Sequence, residues 1–474
     1  MSFTARPPDF SREHLALFHA GLVVVASAWL FGGLGRHGEW IVAALAAPAW
    51  LFLALEWHSR RLARDAAGAR RLLLWTAPLL TLVGYVIVSA LNPSHRIAII
   101  QDTAILRPVP HLEWLPSSAH PSGSLRVLAC LGGLAATGLA VLFCVTSRRG
   151  LRALLLILAL NAVALAVLGT LQRQTGSSGP YFGAFPAAND RWFATFHYYN
   201  HWGAFAVLHA SAALALVFHS LKKPPARGWF FGPGPLLALA ALLLAATAPL
   251  SASRSATGLM LVLGLAAAVF AARHSLRAPR RSARTRRLPR LLGLAAALAI
   301  ATTLILIQSR DTFADRVAQT VGELSGTASP GLDYGRSRLY ADTWRMIEDA
   351  PVLGWGLESY GRIFLRYSTF RPGSDGLMNT YEDAHSDWLQ SLAELGVFGT
   401  TLLVLLAAMP LLATVRGRHL EALPAWLLGG CALLVLYAAV EFPFANPAVV
   451  ATWWVLWAAA LRFIQLSPIA RSGD

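Results

Sequence analysis

YGRSRLYADTWRMIEDAPVLGWGLESYGRIFLRYSTFRPGSDGLMNTYEDAHSDWLQSLAELGVFG, residues 334–399, is the stretch on which the reading of the whole chain turns. Long apolar runs flank it, and it belongs to the largest polar insertion between such runs. It carries several arginines, the acids Glu382, Asp383 and Asp387, and a single histidine, His385, at the mouth of the next apolar run. A polar segment so rich in donors, poised at a membrane edge, is where chemistry is to be sought.

Working outward, 56% of the 474 residues are hydrophobic and 14% charged, against roughly a quarter charged in soluble domains. Apolar runs recur at 14–34, 39–57, 71–91, 125–146, 152–171, 201–220, 234–251, 256–273, 291–308, 389–412, 423–441 and 448–466. Each can cross a hydrocarbon core about 30 Å thick as a helix rising 1.5 Å per residue. The predicted fold is therefore all-α: a polytopic membrane protein of about 12 transmembrane helices. Residues 1–308 form nine helices with short loops, 309–388 a large outer loop, and 389–474 the last three helices and a tail. The first run lacks a convincing cleavage site and reads as a retained helix.

Charge sets the orientation. Arg60, Arg61, Arg64, Arg70 and Arg71 crowd one loop, Arg148, Arg149 and Arg152 another, Lys222, Lys223 and Arg227 a third. Arginines from Arg277 to Arg290, then Arg416 and Arg418, continue the series in every second loop. By the positive-inside rule these loops and both termini face the cytoplasm. The net charge of +16 is thereby explained without nucleic acid. The opposite side receives 92–124, 172–200, 252–255, 309–388 and 442–447. In the 309–388 loop, unlike the basic loops, acids outnumber bases. A helix is predicted from Arg336 to Asp349, ending at Pro351. A second, from Ala384 to Gly396, should carry His385 on its first turn and lead straight into the tenth span. Cys130, Cys144 and Cys431 lie in apolar runs with no metal or pairing pattern and read as core residues.

His385 is the first candidate for chemistry, since imidazole accepts a proton near neutral pH. Glu382, Asp383 and Asp387 stand close enough in sequence to orient it. The alternative is an interfacial histidine beside acids that simply favour a helix start. Arg254, in SASRSA between two closely spaced apolar runs, is the second. An arginine near membrane depth usually has a partner or a task, and its planar fork suits phosphate oxygens; the alternative is a side chain that snorkels to headgroups. Arg336 and Arg338 are expected at a helix N-terminus, where backbone donors would reinforce an anion site. Arg191 to Ala206 combines aromatics with Asn200 and His201; it reads as an interfacial belt with two residues open to binding hydroxyls. His197 and His201 have helical spacing but no evident third ligand, so no metal site is read. No phosphate loop, zinc signature or nucleophile elbow occurs, and no cofactor is expected.

DAPVLGWGLESY followed by AHSDWLQSLAELGVFG resembles the signature of the bacterial O-antigen ligase and polymerase family. The matching positions are Pro351, Gly354, Gly356 and Tyr360, then Ala384, His385, Trp388, Leu389, Glu394, Gly396 and Gly399. SASRSATG, FHYYNHWGAF and WLPSSAHPSGSL resemble further family elements, in order. Ser386 stands where the family usually has Asn. The resemblance implies a metal-independent transferase of the inner membrane, acting on its periplasmic side on a glycan carried by undecaprenyl diphosphate. It implies His385 as base for the acceptor hydroxyl, and Arg254 with Arg336 or Arg338 at the diphosphate. Glu382, Asp383, Asn200 and His201 are the candidates for glycan or acceptor. The acceptor would be a lipid A core sugar for a ligase, or a growing polysaccharide for a polymerase; a protein hydroxyl is a further variant. A transporter is the competing class, but it predicts charges paired at mid-span, and here polar residues collect at the outer face.

Overall fold

The computed structural model describes residues 12–100, 103–187, 189–222, 232–277, 332–370, 381–416, 418 and 420–467. It is nearly all-α. The helices are α1 (Arg12–Trp29), α2 (Arg36–Ala46), α3 (Pro48–Leu62), α4 (Ala66–Leu91), α5 (Pro121–Cys144), α6 (Arg148–Gln174), α7 (Tyr199–Lys222), α8 (Gly234–Leu250) and α9 (Arg254–Arg277). They continue with α10 (Leu332–Asp349), the single turn α11 (Tyr360–Ile363), α12 (Asp387–Val415), α13 (Ala422–Tyr437) and α14 (Pro447–Gln465). All the expected apolar runs but the ninth fall on these helices; 291–308 lies outside the described residues. Among the described residues, eight helices are long and apolar enough to cross a membrane, with α2 and α3 counted together, and α8 and α13 are shorter apolar helices.

One expectation is corrected. The fold is not wholly α-helical: the 92–124 loop holds an antiparallel hairpin, β1 (His95–Ile100) with β2 (Thr103–Pro108), pairing Ile97 with Leu106 and Ala98 with Ile105. The first strand carries three isoleucines and the second a threonine and an isoleucine, and such β-branched residues favour the extended chain. Asn92 pins the segment's far end by donating to the Leu112 carbonyl and accepting from its amide, both at 2.9 Å.

The chain forms two units. The first comprises 1–151, 329–420 and 435–474; the second comprises 152–328 and 421–434. In the first, α5 is the central helix, packed by α14 and by α1 to α4. A Cβ at Gly138 would come within 2.8 Å of the Trp454 Cβ, so the α5–α14 approach depends on that glycine. Arg148 donates to the Phe463 carbonyl at 3.1 Å and Arg418 to that of Ile464 at 2.9 Å. Two arginines of the basic loops thus satisfy the open carbonyls at the end of α14. In the second unit, α7 packs on α8 and α9, and Phe218 stacks on Trp426 at 5.0 Å.

Candidate active site

The polar segment of the first unit is held by a lock between residues 351–360 and a break in α12. The helix leads into the tenth span as expected, but Gly396 sits at φ +61°, ψ −174° inside it and kinks it. The loop takes up the groups the kink leaves open: the amides of Trp355 and Gly356 donate to the Ala393 and Glu394 carbonyls at 3.0 and 2.8 Å. Those of Val397 and Phe398 donate to Pro351 and Val352 at 2.9 and 3.1 Å. A Cβ at Gly396 would lie 2.2 Å from the Val352 oxygen, and one at Gly354 2.4 Å from that of Glu394. The carboxylate of buried Glu394 accepts from the Glu358 and Tyr360 amides, each at 3.0 Å. The glycines and glutamate that stand out in the sequence therefore build the scaffold.

This scaffold sets the His385 turn. Ser386 is the N-cap of α12: its hydroxyl accepts from the Leu389 amide and donates to the Ala438 carbonyl, both at 3.3 Å. His385 therefore precedes the helix and is not on its first turn. The residue before an N-cap is free of helical φ/ψ, and His385 takes φ +50°, a left-handed conformation rare outside glycine. The Tyr340 hydroxyl donates to its carbonyl at 2.9 Å, and the Phe442 ring meets the imidazole edge-on at 4.7 Å and 90°. The Asp387 carboxylate accepts from the Phe444 amide at 2.9 Å. Glu382 is exposed; Asp383 is partly buried beside Gln390, and burial pushes its carboxyl up to about 6.

The two arginines of α10 part company. The helix already runs at Leu332, so Arg336 and Arg338 lie beyond its first turn, not at its N-terminus as expected. Two positions apart they differ by roughly 200° around the axis. Arg336 falls on the side of Tyr340 and donates to the Glu441 carboxylate at 2.6 Å. Arg338 faces Thr369, donating to its hydroxyl at 2.7 Å and to its carbonyl, with its guanidinium over the Phe370 ring at 5.4 Å. Geometry thus brings Arg336, and not Arg338, to the His385 turn.

A second polar cluster borders the same scaffold, and sequence reasoning did not single out its members. Arg126, in the first turns of α5, donates to Glu39 at 2.6 Å and to Glu358 at 2.9 Å. Glu358 is itself left-handed, at φ +62°, and its carbonyl meets His120 Nδ1 at 3.1 Å. Burial, reinforced by the charge of Glu39 and opposed by Arg126, pushes its carboxyl up to about 7. Burial and the Arg362 guanidinium push His120 down. The Ser124 hydroxyl donates to the Leu357 carbonyl at 2.5 Å, so the WLPSSAHPSGSL element cradles the bend at 356–358. Arg126 had a legible signal, the one that drew attention to Arg254: a cation within an apolar run.

In the second unit Arg254 is the first residue of α9, and its side chain is exposed. The turn before it is tight, with Ala252 at φ +64°. Ser253 accepts from the Ala256 amide at 3.2 Å and donates to Asn200 Oδ1 at 2.6 Å. Asn200 also donates to the Tyr198 hydroxyl at 2.8 Å. Asn200 and His201 are 6% and 4% exposed, so the first braces the turn that presents Arg254 and the second packs edge-on to Tyr198.

Comparison with known families places these features in context. A family model described as O-antigen ligase matches residues 239–404. That span begins in α8 and ends in α12, and includes Arg254, Arg336, Arg338, the glycine lock and His385. No curated protein matches the chain.

Proposed function

We propose, from the match of residues 239–404 to the O-antigen ligase family model, a glycosyltransferase that moves a glycan from undecaprenyl diphosphate to an acceptor hydroxyl. The work is done at the periplasmic face of the bacterial inner membrane. The acceptor is a lipid A core sugar, in keeping with the ligase description of the matched model; extension of a growing polysaccharide is the same chemistry on a different hydroxyl.

His385 accepts the proton as the acceptor oxygen bonds to the anomeric carbon. The bond from that carbon to the diphosphate oxygen breaks, and its electron pair stays on the diphosphate. Arg336 takes up the developing negative charge, which a guanidinium fork suits better than a point charge; Arg254 keeps the diphosphate role that the family resemblance implies for it. Glu382 and Asp383, beside His385 in the chain, are assigned to acceptor hydroxyls. The observation that carries the reading is the His385 turn. A histidine in strained backbone is clamped by Tyr340 through its carbonyl and by Phe442 through its ring, with Arg336 on the same face of α10 as Tyr340. Rigid placement of this kind is what a positioned base requires.

The test is transfer from undecaprenyl-diphosphate-linked O-antigen to lipid A core by the full chain in detergent. His385→Gln should lower the rate by about 10²–10⁴-fold, because an amide can hydrogen-bond the hydroxyl but not take its proton. Arg254→Lys should also lose most transfer despite keeping its charge. Wild-type turnover by His385→Gln would remove the base assignment.

A further inference from the structure

The short connection between α13 and α14 reads in sequence as a plain turn of an outer loop, EFPFANP, and it lies beyond the family-matched residues. In the fold EFPFANP makes four contacts with the site. The Glu441 carboxylate holds Arg336 at 2.6 Å, with side-chain exposures of 3% for the acid and 36% for the arginine. The Glu441 carbonyl accepts from the Asp387 amide at 3.2 Å, two residues after His385. Phe442 then packs on the imidazole and the Phe444 amide binds Asp387. One residue thus fixes the guanidinium through its side chain and the base-bearing turn through its backbone.

We propose that Glu441 is a positioning residue of the diphosphate site. Its buried carboxylate aims the Arg336 fork, and the Glu441–Phe444 turn sets the distance between that fork and His385. A long arginine side chain has many rotamers, and an ion pair with a buried acid selects one before substrate arrives. The pair is charge-assisted and short, and the guanidinium also reaches the Val440 carbonyl at 3.5 Å, on the same α13–α14 connection. The inference rests on the reading of Arg336 as a diphosphate ligand.

The experiment uses the full chain in detergent, with undecaprenyl diphosphate itself as the binding probe and thermal unfolding recorded alongside. Four forms are compared: wild type, Glu441→Gln, Arg336→Gln and the double variant. Glu441→Gln should weaken probe binding about tenfold, and Arg336→Gln at least as much. The double variant should bind no worse than Arg336→Gln alone, since the acid acts only through the arginine. It should also unfold at a higher temperature than Arg336→Gln, which strands a buried carboxylate. Glu441→Asp, which keeps the charge on a shorter stem, should bind between wild type and Glu441→Gln, and it carries the test if Glu441→Gln fails to fold. Losses that multiply in the double variant, unchanged binding by Glu441→Gln, or tighter binding through relieved repulsion would each overturn the positioning role. Wild-type binding by Arg336→Gln would instead overturn the assignment of Arg336, and the role of Glu441 with it.

Discussion

Glu358 has a consequence that can be measured without substrate. Its carboxyl titrates near 7 in the folded protein, above the ~4.3 of an unfolded chain. Folding therefore favours its protonated form. That contribution is complete below the unfolded value and disappears as pH rises through about 7. Asp383, pushed up to about 6, acts in the same direction. The thermal midpoint in detergent should fall between pH 5 and pH 8, and Glu358→Gln should flatten part of that slope; an unchanged slope would show that other groups set it. At this scale the sequence was legible where a residue stands alone. His385 could be singled out because no other histidine lies in the loop, and Arg254 because it interrupts apolar residues. The left-handed backbone of His385 could not be read, since nothing in AHSDW separates an N-cap at Ser386 from a helix begun one residue earlier. Glu441 could not be found either, because its partner is 105 positions away.

Among the elements, α12 and the 351–360 loop are the pair whose fit matters most. Gly396→Ala places a Cβ against the Val352 oxygen at 2.2 Å and forces alanine to φ +61°. Strain and overpacking together should cost roughly 2–6 kcal/mol, with loss of transfer, because the lock carries the His385 turn. Gly84→Ala in α4 is the control: nothing lies within 4 Å of the added carbon. That substitution should be neutral or stabilise by up to about 1 kcal/mol. Equal effects of the two, measured by thermal unfolding, would mean that the lock does not hold the loop. Element types were legible from the length of apolar runs and from Pro351, which ends α10 as expected. The kink was not, because a glycine within an apolar run is compatible with a continuous helix. The hairpin was missed for a related reason: attention to apolar length passes over a short β-branched run that is too brief to span.

For the molecule as a whole, orientation is the open prediction. Within the first unit the arginines that close the end of α14, Arg148 and Arg418, lie at the far end of α12 from His385. If the basic loops are cytoplasmic, reporters fused after residues 65 and 225 should read as cytoplasmic, and those after 105, 185 and 330 as periplasmic. A cytoplasmic reading at 105 would put the hairpin, whose Leu106 packs against the cluster of Tyr360 and Ala384 beside the site, on the wrong side for a periplasmic transfer. The basic loops made this frame legible, whereas the grouping of distant segments into one unit depends on shape complementarity that no local pattern encodes.

The burial of α14 also governs the order in which the protein is made. Its apolar window is 94% buried, the highest among the spanning helices, while that of α9 is 17% buried. Yet α14 is the last of them to leave the ribosome, long after its partner α5. At ordinary synthesis rates of about 5–20 residues per second, α5 waits on the order of tens of seconds for the helix that will cover it. The covering of α5, and with it the setting of the turn at Glu441, must follow the synthesis of α14.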